Sequence, residues 1–257
     1  MPSRPLSRGE RLLYDAVVHS LLSNLLDGRP LLVAVAAPVE IRGVFLGLGR
    51  PDTPVPGLWE VAEVSEQVHV LHSGVSKVNA AGAVASVLVN RHPYGALLSI
   101  GIAGSLPGGP PVLGAVTATG CVFGDEGIVT SRGYETLAQM GFPMDPSLGE
   151  REHFPTDPTM QQVFRSVTDA VGLIAAVSIC SGTDDLARAV FERTGALAEA
   201  MEGAPMALVA RRRGVRFCEV RTISNLTGDR AAQHWDIKGA IGRLSDIVAS
   251  AIGPVVR

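Results

Sequence analysis

The chain has 257 residues, of which 46% are hydrophobic and 18% charged, with a formal net charge of -3. That length suits one sizeable α/β domain, and the near-neutral balance gives no electrostatic footprint for DNA or RNA. No uncharged apolar run reaches membrane-spanning length, and no apolar stretch of a secretory signal follows Met1-Pro2-Ser3-Arg4, so a cytoplasmic protein is expected. Cys121, Cys180 and Cys218 are too few and too scattered for a disulfide framework or a zinc site, and each is expected to pack as a small apolar residue.

In chain order, residues 8–27 carry apolar side chains at helical spacing, stopped by Asp27-Gly28. Residues 1–29 read as an N-terminal helical extension and 30–257 as the catalytic domain. The continuous apolar run from Leu31 to Ala37 suits a buried strand. Val44 to Leu48, Leu58 to Val64 and Val68 to Leu71 are further strand candidates. Lys77 to Asn90 predicts a helix rich in small residues, able to lie close on a sheet. Ala96 to Ile100 is a strand running into Gly101-Ile102-Ala103-Gly104-Ser105, and Leu113 to Ala118 is another.

Residues 124–158 hold many glycines and prolines and read as a long excursion with one short helix near Tyr134 to Met140; long loops in compact domains are usually functional or mobile. A helix is expected over Thr159 to Val171, a strand over Leu173 to Cys180 and a helix over Leu186 to Thr194. A short strand then enters Met201-Glu202, followed by a helix from Ala204 to Arg213, a strand from Val215 to Ile223 and a last helix from Ile237 to Ile252. Alternating strands and helices imply an α/β fold, a single-domain three-layer α/β/α sandwich with a mixed central sheet.

Ligands of open α/β sheets sit beyond the carboxyl ends of strands. Four such ends hold small or polar residues: Ala36 to Glu40, Ser73-Gly74, Gly101 to Gly104, and Ser224-Asn225. Taken in order with Glu199-Ala200-Met201-Glu202-Gly203-Ala204-Pro205-Met206-Ala207, Glu219-Val220-Arg221-Thr222-Ile223-Ser224-Asn225 and His72-Ser73-Gly74-Val75-Ser76-Lys77-Val78-Asn79-Ala80-Ala81, these segments resemble the nucleoside phosphorylase family, in its nucleosidase branch. The resemblance covers roughly residues 31–252. Within the branch, Val78-Asn79-Ala80-Ala81, Phe123-Gly124-Asp125-Glu126-Gly127 and Ile223-Ser224-Asn225 continuing to Gly228-Asp229-Arg230 and Trp235 are similar to the futalosine hydrolases of menaquinone biosynthesis.

That resemblance implies a purine nucleosidase releasing hypoxanthine, a homodimer or higher homo-oligomer whose pocket the partner chain completes, with no metal and no cofactor. Cleaving a purine N-glycosidic bond builds positive charge on the ribose and negative charge on the base. The resemblance puts Glu202 on the 2′- and 3′-hydroxyls with Met201 under the sugar; the plain alternative is a glutamate complementing a helix dipole. Glu40 is implied as the base that orients or deprotonates water, against a solvated strand-end glutamate. Asn225 stands where adenine-releasing relatives carry an Asp. Its amide cannot serve as an acid at neutral pH, but two N–H donors suit N7 and O6 of a 6-oxopurine; the alternative is a turn residue.

Ser73 and Gly74, with Ser76, are implied to line the space that phosphate takes in phosphorylases, and Gly104 belongs to the same pocket. Thr183 and Asp185, in Ser181-Gly182-Thr183-Asp184-Asp185, are implied beside the base, although Asp184 and Asp185 equally suit helix caps. Asp229 is a further candidate acid. Arg132, Arg151, His153 and Arg230 are the candidates for a substrate carboxylate, while Arg211-Arg212-Arg213 reads as a helix-end run suited to the dipole. Two alternatives stay open on sequence: a phosphate-dependent purine nucleoside phosphorylase, and a nucleoside-binding protein without chemistry.

Overall fold

The structure, a computed structural model, describes residues 26–90, 94–149 and 153–254. The expected helix over 8–27 lies almost wholly outside the described residues, as does Arg151. Asp27 and Gly28 both take positive φ, 50° and 73°, and make the turn that feeds the first strand.

That strand, β1 (Leu31–Val35), is buried throughout. It enters α1 (Pro38–Gly47), where a second strand was expected at Val44 to Leu48. The correction has a readable cause: Ile41, Val44, Phe45 and Leu48 are all buried and recur at helical spacing, with Pro38 in the first turn. Gly43 and Gly47 let α1 lie directly on the last helix, because a methyl group on Gly47 would come within 2.7 Å of Val248 Cβ.

β2 (Val61–Glu63), β3 (Val68–His72) and α2 (Lys77–Asn90) follow as expected. β4 (Ala96–Ser105) and β5 (Ala115–Phe123) run further than the sequence indicated. The 124–153 excursion holds a hairpin, β6 (Gly127–Thr130) and β7 (Gly133–Thr136), where a short helix was expected from Tyr134; Gly133, at φ 121°, makes its turn. β8 (Phe154–Pro155) leads to α3 (Pro158–Phe164), capped by Asp157, which accepts from Thr159 N–H (2.9 Å) and Met160 N–H (3.0 Å). This helix stops seven residues short of Val171. Ser166 and Thr168 donate back to the carbonyls of Val163 and Phe164, and Ala170 is already paired in β9 (Ala170–Ala176).

α4 (Asp184–Thr194), β10 (Ala198–Ala200), α5 (Gly203–Arg213), β11 (Arg216–Leu226) and α6 (Ile237–Ala251) complete the chain, giving six α-helices among the described residues. The large sheet is mixed, in the order β10-β9-β5-β11-β4-β1-β3-β2, with β8 on β5. It also closes on itself, because β10 pairs with β9 in parallel and with the end of β4 antiparallel through Ala198–Ser105 and Glu199–Gly104. One face packs on α1, α3 and α6, and the other on α2 and α5. β3, β1, β4 and β11 are mutually parallel neighbours, so their carboxyl ends open on one side. No helix among the described residues is long and apolar enough to cross a membrane.

Candidate active site

The residues after β1, β3 and β10 converge on one buried arginine. Arg221 lies on β11, 1% exposed. Its Nε donates to Glu219 Oε1 (2.8 Å) and its Nη2 to Ser99 Oγ (3.0 Å), and Nη2 also stands 3.3 Å from Glu202 Oε2. Glu40 approaches the Nη1 side: a methyl on Gly101 would sit 2.5 Å from Glu40 Oε1 and 2.6 Å from Arg221 Nη1. Gly101 therefore keeps β4 bare where glutamate and guanidinium meet.

Glu40 is the third residue of α1, placed by the Pro38 start rather than left on a solvated strand end. Its Oε2 accepts from Ala37 N–H (2.9 Å) and its Oε1 from Ile102 N–H (2.8 Å). Burial pushes its carboxyl above the ordinary glutamate range, against the pull of Arg221 and of those two N–H groups; Glu202 adds to the rise. For Arg221 burial works against the charge, but Glu219, Glu202 and Glu40 outweigh it and hold the guanidinium more firmly protonated than usual.

Glu202 occupies the N-cap position of α5 without capping it. Its side chain turns to the cleft instead, Oε1 accepting from Ser76 N–H (3.3 Å) and Oε2 from Met201 N–H (3.2 Å). The donor loop is strained to do this: Ser76 has φ 99°, unusual for a residue with a side chain, and Gly74 has φ 83°. A dipole-compensating glutamate would not reach across to another loop.

Asn225 follows a bulge in β11, where Ile223 pairs with Ala103 and Asn225 with Gly104, leaving Ser224 between them. Bulges re-aim side chains beside active sites. Ser224 Oγ donates to Asn225 Oδ1 (2.9 Å), which fixes the amide orientation, and Asn225 Nδ2 donates to Leu226 O (3.1 Å). One N–H of the amide thus remains for a ligand, not both. The amide lies against bare Gly104, 3.4 Å from where a Cβ would be.

Other expected residues are held differently. Ser73 is fully buried, and its hydroxyl donates to the carbonyls of Val35 and Gly74, pinning β3 to β1. Thr183 caps α4 through Leu186 N–H (3.2 Å). Asp185 turns to solvent, its side chain 92% exposed beside Arg188, so the structure does not bring it to the cluster. Asp184 and Asp185 lie in the first turn, one and two residues past the cap. Asp229 is exposed and accepts from Ala231 N–H, which fits a loop charge. Arg230 stacks on Trp235, and Arg132 lies near Glu135 in the hairpin. Arg211 pairs with Asp145 and Ser147, an anchor beyond its place in the last turn of α5. Cys121 and Cys218 are buried as expected, whereas Cys180 is exposed.

Three features lie inside the quoted segments without a role that the sequence assigns them. Arg221 and Glu219 form the centre of the cluster, signalled only by opposite charges two apart in an apolar strand, where they share a face. Lys77, at the start of α2, is held by Asp125 and by Glu126 (2.9 Å), while Asp125 accepts from Ser178 and Ile179 N–H; this ties the excursion's first residues to α2 and to the end of β9. Glu199, buried in β10, accepts from Ser181 N–H (2.7 Å) and Oγ (2.6 Å) and fixes the loop before α4; burial raises its carboxyl despite these bonds. No group of three or more His, Cys, Asp or Glu among the described residues is arranged to hold a metal ion.

The pattern of the phosphorylase superfamily matches residues 59–253. A futalosine hydrolase of Thermus thermophilus is 37% identical over 69% of this chain and 78% of its own length. One from Streptomyces coelicolor is 32% identical over 88% of this chain and 96% of its own. Among solved structures, a futalosine hydrolase mutant of Helicobacter pylori superposes with a TM-score of 0.70 at 18% identity, covering 87% of this chain and 98% of that one. A 5′-methylthioadenosine/S-adenosylhomocysteine nucleosidase from S. pneumoniae, solved with a transition-state inhibitor, gives 0.69 at 21% identity over 87% and 98%. The two structures share the fold, and the two sequence relatives, each above 30% identity across most of both chains, go further. This chain belongs to the phosphorylase superfamily and, within it, to the futalosine hydrolase family.

Proposed function

We propose that this protein hydrolyses the N-glycosidic bond of futalosine, releasing hypoxanthine in menaquinone biosynthesis. The observation that carries the reading is that Glu202 pairs with Arg221 of β11 while Glu40, just past the end of β1, lies within the electrostatic reach of both. Glu202 holds the ribose hydroxyls, with Met201 beneath the sugar, and its negative charge favours the cation-like ribose of the transition state. Glu40, a stronger base for its burial, takes a proton from the attacking water. Asn225 stabilises the leaving base through its remaining N–H.

Water is favoured over phosphate by the loop after β3. Its cation, Lys77, is already held by Asp125 and Glu126, and the Ser73 hydroxyl is spent on carbonyls. The protein acts in the cytoplasm as a homodimer, supported by Val75, Val78 and Ile179, all exposed around the Lys77–Asp125 link. Incubation with futalosine, inosine, methylthioadenosine and adenosylhomocysteine, with and without phosphate, tests the reading. Hypoxanthine released from futalosine in phosphate-free buffer is expected. A sugar-1-phosphate product that needs phosphate would select a phosphorylase, and tight binding without turnover a binding protein.

A further inference from the structure

Glu219 lies behind the cleft, beneath the start of α5, and is the most buried carboxylate of the cluster, with no exposed surface. It sits two residues before Arg221 on β11, so both side chains leave the same face of the sheet. Its Oε1 accepts from Arg221 Nε (2.8 Å), and its Oε2 accepts from the Cys121 thiol on β5 (2.8 Å). The start of α5 closes over it: any side chain at Gly203 would overlap the carboxylate. Three elements are thus shaped around one carboxyl group in the core.

Such a site is poor economy for stability alone, since an apolar residue of similar volume often serves a core as well or better than a buried ion pair. Its geometry has another use. The guanidinium is a rigid planar fork, so fixing Nε fixes where both Nη groups point. With Glu219 on the Nε edge, Nη2 meets Ser99 and Glu202, and Nη1 faces Glu40.

We infer that Glu219 is a positioning residue for the glycosidic cleavage, locking the rotation of Arg221 so that the guanidinium presents Nη2 to Glu202 and Nη1 to Glu40. The inference rests on the proposed roles of Glu40 and Glu202. Glu219 has a second effect through charge. It offsets the Arg221 cation, which otherwise draws the Glu40 carboxyl down. The groups facing Glu40 are Arg221 from β11, Glu202 from the start of α5, and the N–H groups of Ala37 and Ile102. Those facing Glu219 are Arg221 and the Cys121 thiol, with the buried Cys218 thiol beside it on β11.

The test is Glu219→Gln and Glu219→Asp in the full chain, with kcat, KM, the pH dependence of kcat/KM and the thermal midpoint measured on the hypoxanthine-releasing reaction. Glu219→Gln keeps the shape and loses the charge. It is expected to lower kcat about 10- to 100-fold, the scale of a small misplacement of reacting groups, with KM little changed. Its acid limb should move to lower pH, because Arg221 is then less compensated, and Glu219→Asp should restore the limb and part of the rate. An unchanged kcat and acid limb with only a lower thermal midpoint would overturn the inference. If Glu219→Gln does not fold, Cys121→Ala reads the same device: release of the carboxylate on one side should cost several-fold in kcat, and an unaltered kcat overturns it. Glu202→Gln, run alongside, separates the failures. Full turnover in that variant sinks the ribose assignment itself, whatever Glu219 does.

Discussion

The cluster around Arg221 and the 124–153 excursion both lie beside the carboxyl ends of strands, and they are built in opposite ways. In the cluster Glu40, Glu202, Glu219 and Arg221 are each no more than 5% exposed, and each carboxylate has N–H, thiol or guanidinium partners from elements distant in sequence. Over its described residues the excursion is a two-stranded hairpin, a single turn of 3-10 helix (Pro146–Leu148) and turns, with Val129 80% and Phe142 69% exposed. A buried charge tolerates little displacement, because every lost partner leaves a desolvated ion. An exposed loop loses almost nothing by moving, and such segments open at low free-energy cost. The proposed chemistry therefore sits on the rigid part. The excursion is tied to that part at its root, where Asp125 and Glu126 hold Lys77 of α2, and further along, where Arg211 of α5 holds Asp145 and Met144 and Leu148 pack on the core.

If that contrast is right, the largest effects belong to the cluster. Glu40→Gln should lower kcat by about 10²–10⁴-fold, the usual contribution of a general base. In the wild type the acid limb of kcat/KM should lie above the ordinary glutamate range, since burial raises this carboxyl. The sign follows directly: the base form is lost as pH falls through the raised value. For stability the linkage runs the other way, because the folded state holds this proton more tightly. That contribution is present below the unfolded value and lost as pH rises through the folded one. An acid limb at the ordinary glutamate value would remove Glu40 from the role.

Glu202→Gln should cost about 10²–10³-fold in turnover, the scale of one transition-state electrostatic contact, while circular dichroism stays unchanged. Near wild-type turnover would break the ribose assignment. Asn225→Asp should shift the ratio of specificity constants from a hypoxanthine nucleoside toward its adenine counterpart by about one to two decades. An adenine amino group would meet the amide N–H donor to donor, and an unpaired buried donor costs about 1–3 kcal/mol. A wild type that already favours the adenine compound would exclude the 6-oxopurine preference.

The smallest effect sharpens the comparison from the other side. Phe142→Ser, on the exposed excursion, should change unfolding free energy by no more than about 0.5 kcal/mol and leave kcat within about twofold of the wild type. A thermal shift as large as that of a core substitution would show that Phe142 is packed against another surface in solution.

The sequence by itself determined the alternation of elements, the sheet class and most of the strand ends, because burial on a sheet leaves long apolar runs and strand ends leave glycine and polar residues. It also singled out Glu40, Glu202 and Asn225 as candidates through the order of their segments. Local pattern failed where two structures share one composition. Val44 to Leu48 taken alone reads apolar as strand or helix; the spacing from Ile41 and the close fit of Gly43 and Gly47 on α6 show that it is helix. The hairpin at Gly127 to Thr136 pairs across a turn that a loop-rich composition conceals. Tertiary structure alone decided that Arg221 is the common partner of carboxylates from α1, the start of α5 and β11 itself, separated by up to 181 positions along the chain. It also decided that the Asn225 amide is turned by Ser224 and that Asp185 leaves the site for solvent. The physical reason is the same in each case. Charge pairing and amide orientation depend on distances across the closed sheet, and those distances are set by strand register and the β11 bulge rather than by neighbours in sequence.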